Sequence, residues 1–538
     1  MGFHQDYITW LMQCISTVSY SFLINEEVLG SGIPSRGIRH GDPLSPYVFI
    51  FCGEFLSGMC RKSQLDRKLA GIKVATHSPR INHLLFAYDT MFFVHSDPNS
   101  CLTLKTILND YETASDQMIS ASKSSITFSA KITPEEKLRI KQTMGIEKEG
   151  GIGKYLGLLK HFGRNKKDLF ASIVDQIKQK AISLASRQLS QAGKLTMLKS
   201  ILSLMPTFAM TCFELPGSLC KRIHSTLTTR FWWDPSETKK RICWVSWDKL
   251  TKPKNIEGLG FRDIQQFNRA LLGKLAWRIV TKPDCLMART LLEKYCHNKA
   301  FLKTTYSASA SHGWRGVLKG RDVLIQHLGK VVGNGNSIRL WHDPWLSTSS
   351  PKAVEGPLTL DDKDLAVVDV LTRETCIWNR AALEKQFPTL LDEILLLHPS
   401  TTGAEDSYAW LQPSSGSYTT KSVYMSLQRK GALQELNARL LASFNWYRFV
   451  WNTQAFPKIQ VFLWKTIQNV LPTEENLQKK VYSLTQSVLD AENKRLPCIS
   501  SSIASLHNKY GTWFHGHLPF YPCRLQTLRR NSTDPATV

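Results

Sequence analysis

The 538-residue sequence is short of acid: 44 Asp and Glu stand against 68 Lys and Arg, which leaves a formal net charge of +24. It has no uninterrupted apolar run near the roughly 18 residues that a membrane-spanning helix needs, so such a helix is excluded. There are 12 cysteines but no C-x-x-C pair, the spacing that usually announces a structural zinc site. The start, Met1-Gly2-Phe3-His4-Gln5-Asp6, lacks the basic-then-apolar plan of a secretory signal and the hydroxyl residue that favours myristoylation. The cysteines are therefore expected as reduced, scattered and mostly buried thiols, and the chain as nuclear or cytoplasmic, not secreted. No repeat occurs at solenoid periods. With 42% apolar and 21% charged residues, wholesale disorder and low-complexity sequence are excluded too.

At about 100–200 residues per domain, the length predicts about three domains, enough for a sizeable core. A surplus of 24 positive charges serves solubility or a polyanionic partner, because Lys and Arg gain affinity by releasing counterions from phosphates. Charge alone does not separate nucleic acid from an acidic protein or a membrane surface. Tryptophan divides the chain unevenly: of 15, only Trp10 precedes Trp232, which points to different structural units on either side of about residue 230.

Tyr20, Phe22 and Ile24 alternate with Ser19 and Ser21 as in a half-buried strand, and Asn25-Glu26-Glu27 reads as a turn into Val28-Leu29. Gly41-Asp42-Pro43 reads as a helix start, with Asp42 as N-cap and Pro43 at the first helical position. Leu44, Tyr47, Val48, Phe51, Phe55, Leu56 and Met59 then recur at three- and four-residue spacing, an amphipathic helix that ends near Arg61-Lys62. Leu84 to Ala87, Tyr88-Asp89 and Met91 to Val94 read as strand, tight turn, strand; residues 101–118 return to a helical period, and Ile126-Thr127-Phe128 reads as a short strand. Hairpin, helix, hairpin, helix, strand is an α+β order with an antiparallel sheet. Helical periods follow over Phe170–Met210, Cys220–Phe231, Gln265–Val280, Ser417–Leu427 and Pro457–Val470; Gly333-Asn334-Gly335-Asn336 is a loop, and no period continues past about Ile499.

Two blocks carry the chemistry: Arg36-Gly37-Ile38-Arg39-His40-Gly41-Asp42-Pro43-Leu44-Ser45-Pro46, and the hairpin His83-Leu84-Leu85-Phe86-Ala87-Tyr88-Asp89. Lys123-Ser124 with Ile126-x-Phe128-Ser129, Tyr155-Leu156-Gly157-Leu158 with Gly163-Arg164, and Leu189-Ser190-x-Ala192-Gly193-Lys194 follow in order. So do Phe231-Trp232-Trp233, Gly258-Leu259-Gly260-Phe261-Arg262-Asp263 and Trp341-His342-Asp343-Pro344-Trp345-Leu346. Together these blocks, over about residues 1–346, resemble the reverse transcriptase of plant non-LTR (LINE-type) retrotransposons. Residues from Tyr408 to Lys480, with Trp451, Pro457-Lys458, Phe462-Leu463-Trp464 and Leu471-Pro472-Thr473, resemble the zinc-binding reverse-transcriptase module of the same elements.

The resemblance implies a partial palm (antiparallel sheet with helices) over 1–150, a helical thumb over 151–300 and a connector over 301–400. A degenerate zinc-binding module over 401–498 and an irregular tail over 499–538 would follow. It also implies two-metal phosphoryl transfer, in which paired Mg²⁺ ions about 3.5–4 Å apart activate the primer hydroxyl and stabilise the leaving pyrophosphate. That chemistry takes one carboxylate from a strand ahead of the first helix and two from the hairpin turn. The sequence departs twice: its methionine start falls after the place of the first strand, which would make it an N-terminally truncated member, and Tyr88 replaces the first hairpin aspartate, leaving Asp89. A phenol is a poor Mg²⁺ ligand, and one carboxylate does not replace three. Polymerase chemistry is thus expected to be lost, with Asp89 the single residual Mg²⁺ ligand.

By the same resemblance, His40 (the family has Gln), Gly41, Asp42, Pro43, Ser45 and Lys123 would line the nucleotide or template site. Asp42 is otherwise a cap, and Lys123 otherwise a solvated lysine. Arg36, Arg39, Arg164, Lys194, Lys199 and Arg262 are candidate phosphate contacts, since phosphate needs cationic donors and no particular base. Phe231-Trp232-Trp233 is either core or a base-stacking cluster, and Lys239-Lys240-Arg241 an exposed face or a nuclear signal. Cys498, His507, His515, His517 and Cys523 lack the module's ligand spacing, so zinc is not expected. The expected partners are RNA and DNA, and no membrane. Three functions remain open: an active RNA-directed DNA polymerase, a nonenzymatic RNA- or DNA-binding protein, and a retroelement remnant with no selected role.

Overall fold

The computed structural model describes residues 2–35, 37–38, 41–150, 154–159, 170–185, 189–233, 242–296, 299–355, 365–372, 375–413, 415–438 and 444–479. The fold is α+β, and among the described residues about half are helical and the strands form four separate two-stranded antiparallel sheets. The chain divides into two units. One comprises Met1–Arg187, Met197–Lys240 and Arg262–Leu440; the other is assembled from Gln188–Thr196, Arg241–Phe261 and Leu441–Val538.

The first unit begins with helix α1 (Gln5–Ser16) and the hairpin β1 (Tyr20–Ile24) and β2 (Glu27–Gly32). The hairpin stands where the sequence places it. Asn25 and Glu26 both take positive φ (52° and 71°), the turn whose twist matches that of the flanking strands. Its expected half-burial is not met, because Phe22, Leu23, Ile24, Val28 and Leu29 are all exposed. The ribbon pairs with no further strand among the described residues, and an extra residue, Gly30 (φ 68°), bulges between the pairs Ser21–Ser31 and Phe22–Leu29. The expected common sheet is therefore absent as well; the β1–β2 and β3–β4 hairpins are separate sheets.

Helix α2 (Ser45–Leu65) packs on helix α3 (Pro98–Ser115), and Leu56, Cys60, Leu69, Leu104, Ile107, Leu108 and Tyr111 form their shared core. Leu85, Phe92 and Val94 of the second hairpin, β3 (His83–Phe86) and β4 (Asp89–Phe92), pack against that core. Asp97 caps α3 by accepting the Ser100 N–H at 2.8 Å, and Pro98 follows at the first helical position. The expected strand Ile126–Phe128 reduces to one bridge, Ile126 to Glu149. Lys154–Tyr155 and Leu158–Leu159 pair across Leu156 and Gly157, both at positive φ.

The larger core of this unit is helical. Helix Ile264–Thr281 lies against helix His312–Ile325, with Trp314, Val317, Leu318 and Leu324 buried between neighbours. Phe231, Trp232 and Trp233 are buried, which settles that cluster as core. Strands Leu328–Val331 and Ser407–Trp410 pair beside the loop Gly333–Ser337. Asp406 holds that loop by accepting the N–H groups of Gly333, Gly335 and Ser337 at 2.7–2.9 Å and the Ser337 hydroxyl at 3.0 Å.

In the second unit, helix Pro457–Ile467 buries Val461 and Trp464. The indole of Trp464 donates to the Glu257 carbonyl at 2.8 Å, and that of Trp451 to the Lys254 carbonyl at 3.0 Å. Gln468 adds a second bond to the Glu257 carbonyl at 3.1 Å. The Lys254 ammonium lies 4.3 Å from the centre of the Trp451 ring, and burial holds it below the ordinary lysine range.

Candidate nucleic-acid interface

Asp89 is the first residue of β4, paired across the ladder with Phe86, and it is exposed. The turn lies one residue earlier than the sequence suggested: Ala87, at φ 47°, and Tyr88 form it, and Asp89 belongs to the strand. Tyr88 is 86% exposed, and one side of its ring rests on Phe49 of α2 with centroids 4.6 Å apart. Phe49 lies one turn inside α2, so the hairpin tip sits at the same end of that helix as the Gly41–Ser45 block.

In that block the helix starts later than the sequence implied. Leu44 is the N-cap, Ser45 and Pro46 fill the first helical positions, and Asp42 and Pro43 precede them. The reason is a turn closed by the Ser45 N–H on the Asp42 carbonyl at 3.2 Å, which moves the helix start on by two residues, to Leu44. Asp42 still works as a local acceptor, taking the Leu44 N–H on Oδ1 at 2.8 Å. Gly41 uses its freedom at φ 82° to let the chain enter this turn. Lys123 is exposed in a turn beyond α3, where its own N–H bonds the Ser120 carbonyl at 3.2 Å.

His83, which opens β3, is fastened at both ring nitrogens. Nδ1 lies 2.5 Å from Asn82 Oδ1, an acceptor, so it carries the proton; Nε2 then accepts from the Ser57 hydroxyl at 2.8 Å. Burial, helped by the Arg61 charge and opposed by Glu54, pulls the His83 pKa below its ordinary value. A depressed pKa contributes stability that is whole above the unfolded value of about 6.5 and is lost as pH falls through the folded value. His83→Gln should therefore flatten the fall in melting temperature below pH 6.5; an unchanged pH profile would contradict this.

Of the six candidate phosphate cations, Lys194, Lys199 and Arg262 lie among the described residues. Arg36, Arg39 and Arg164 lie outside the described residues, as do His40, Lys239-Lys240-Arg241 and the tail with Cys498, His507, His515, His517 and Cys523. Lys194 is only 5% exposed. Lys199 is half-buried in the turn Leu198–Leu202. Arg262 is half-buried with its guanidinium 4.3 Å from the Phe267 ring centre, and burial draws it below the usual guanidinium range. Its neighbour Asp263 caps helix Ile264–Thr281 by accepting from Gln265 and Gln266 at 2.8 and 3.0 Å, while its own N–H bonds the Tyr424 hydroxyl at 2.9 Å. The sequence offered no sign of that last bond, which joins residues 161 apart.

Among the described residues no three His, Cys, Asp or Glu side chains gather as a metal site. Among the described residues the β3–β4 tip offers one carboxylate, Asp89, beside the phenol of Tyr88, where the two-metal arrangement takes several carboxylates. No helix among the described residues is long and apolar enough to cross a membrane.

Residues 418–489 match the family described as zinc-binding in reverse transcriptase. That segment contains neither cysteine nor histidine, so it lacks the soft donors of a structural zinc site. A protein of Arabidopsis thaliana provisionally named a ribonuclease H protein is 28% identical over 323 residues, 59% of this chain and 51% of its own length. The chain thus spans about half the length of that relative. An uncharacterized mitochondrial protein of the same plant is 38% identical over 148 residues, 27% of this chain and 96% of its own length. A second one is 61% identical over 69 residues, 13% of this chain and 57% of its own length. With almost the whole of the first mitochondrial protein covered and the reverse-transcriptase segment behind it, the chain belongs to that protein's family and is a reverse-transcriptase-related protein of retroelement descent.

Proposed function

We propose that this chain is a nucleic-acid-binding protein of LINE-type reverse-transcriptase lineage that does not polymerise. In this reading residues 1–150 are palm, 151–300 thumb, 301–400 connector and 401–498 a module that has lost its zinc. The observation that carries it is the β3–β4 tip, where a single carboxylate, Asp89, stands beside an exposed phenol. The charge of +24 supports the binding half, because cations on a folded surface gain affinity from phosphates without reading bases. Of the described candidates, Lys199 and Arg262 keep part of their side chains at the surface, and they are the ones assigned to phosphate here. The ribonuclease H name of the Arabidopsis relative agrees with a nucleic-acid substrate class, although it is that protein's name and rests on half its length.

The test has two arms. Primer extension on an RNA template with Mg²⁺ or Mn²⁺ should give no incorporation above an Asp89→Ala control; incorporation above that control overturns the loss of catalysis. Filter binding of RNA and DNA should weaken steadily as salt rises, in proportion to the phosphates contacted. Binding indifferent to salt, or none at all, would sink the binding half.

A further inference from the structure

The second unit carries an exposed surface of aromatic and basic residues. Residues 444–470 hold three cations, Arg448, Lys458 and Lys465, and no Asp or Glu. Their aromatic residues divide in two. Trp451 and Trp464 face inward and bond the carbonyls of Lys254 and Glu257. Phe444, Tyr447, Phe449, Phe456 and Phe462 face outward; Phe456 is 80% exposed and each of the others more than two-fifths.

The division follows from helical spacing. On Pro457–Ile467 the stripe Gln460, Val461, Trp464 turns inward, which leaves Lys458, Ile459 and Phe462 on the opposite face. Gln460 ties this helix to the turn Tyr447–Trp451 by donating to the carbonyls of Trp451 and Thr453 at 3.2 and 3.1 Å. On that turn the Arg448 guanidinium lies 5.6 Å from the Phe449 ring centre, and Phe449 and Phe444 have centroids 5.4 Å apart. Among the described residues neither Arg448 nor Lys458 makes an ion pair.

We infer that this face binds single-stranded nucleic acid, with bases stacked on the exposed rings and phosphates held by Arg448 and Lys458. Exposed aromatic faces interleaved with cations, on a stretch whose own sequence holds no carboxylate, are the two parts that single-strand binding needs: a π-face accepts any base, and a cation tracks the backbone. Duplex ends its bases in the stack and offers the rings nothing, so the face discriminates by strandedness. The inference rests on the nucleic-acid reading above and names the ligand form and the residues that reading leaves open.

Fluorescence anisotropy of the full chain with a labelled oligo-dT or oligo-rU and with a duplex of equal length tests it. Circular dichroism of each variant would accompany the titrations. Phe456→Ala and Phe462→Ala should each weaken single-strand binding about tenfold, the fold-change that roughly 1–3 kcal/mol of stacking per base brackets, and leave duplex binding unchanged. Phe456→Trp should restore it, and Lys458→Gln should lower the salt dependence without removing it. If the wild-type chain binds single strands and these variants bind them equally well, this inference falls while the nucleic-acid reading stands. If the wild-type chain binds neither form, both fall. Binding to anionic vesicles only, or self-association that Phe456→Ala abolishes, would assign the face to a different occupant and overturn the inference.

Discussion

Gly320→Ala is expected to lower the stability of the first unit by about 3 kcal/mol, the upper end of what one forced methyl costs in a packed core. Gly320 lies in helix His312–Ile325 where that helix meets helix Ile264–Thr281. A Cβ there would collide with the carbonyl carbon and oxygen of Leu272 and would stand 2.6 Å from the Gly273 nitrogen. These are backbone atoms, which no rotamer change can move aside. The contact is tight from the other side too, because a Cβ on Gly273 would meet the Tyr418 hydroxyl, which is itself committed to the Ala270 carbonyl at 2.7 Å. Relief requires the helices to part, which opens the contacts of Trp314, Val317, Leu318 and Leu324. Urea unfolding of the full chain followed by tryptophan fluorescence reads the change as a lowered midpoint. Gly53→Ala is the control: Gly53 lies in α2 with nothing within 4 Å of its added Cβ, so helix propensity should leave stability equal or raised by about 0.5–1 kcal/mol. Equal midpoints for Gly320→Ala and wild type would overturn the close-approach account.

Trp464→Ala should destabilise the second unit by about 3–5 kcal/mol. The side chain is fully buried, so its truncation leaves a cavity the size of an indole, and the Glu257 carbonyl loses one of its two donors. Trp464→Phe separates these terms. It keeps a six-membered ring in the site and removes the N–H with the rest of the indole, which should cost less than the truncation to Ala, about 1–3 kcal/mol. Limited proteolysis would locate the effect, with new cuts in the second unit for Trp464→Ala and an unaltered digest for Trp464→Phe. Matching digests for Trp464→Ala and wild type would show that the indole is not holding the unit.

What the sequence revealed depends on how far its reasons reach along the chain. Local periodicity was enough for α2, α3 and the helix Ile264–Thr281, and the turn signals at Asn25-Glu26-Glu27 and Tyr88-Asp89 were enough for two hairpins, the second displaced by one residue from the observed turn Ala87-Tyr88. Period-2 patterning did not tell whether anything covers a strand, so Phe22 and Ile24 read as half-buried and stand exposed. The start of α2 was misplaced because Asp-Pro serves a turn as well as it serves an N-cap. Partners distant in sequence were invisible. The loop at Gly333 was legible from its glycines, yet nothing near it announced Asp406, 73 residues on. In the candidate interface, motif resemblance brought the Gly41–Ser45 block and the Tyr88–Asp89 tip into view, and the packing of Tyr88 on Phe49 puts them at one end of α2. The phosphate cations were chosen by residue type, which carries no information on depth; hence Lys194 is buried.

The second unit draws on segments separated by nearly two hundred residues of chain, and that sets an order of events during synthesis. The stretch around Lys254 and Glu257 leaves the ribosome long before Trp451 and Trp464 exist to meet its carbonyls. In that interval the carbonyls of Lys254 and Glu257 lack the indole donors that hold them in the finished protein. The unit is therefore the last to close, its loop-closure entropy is met late, and a ribosome that stalls before residue 441 releases a chain with these residues open to chaperones and proteases.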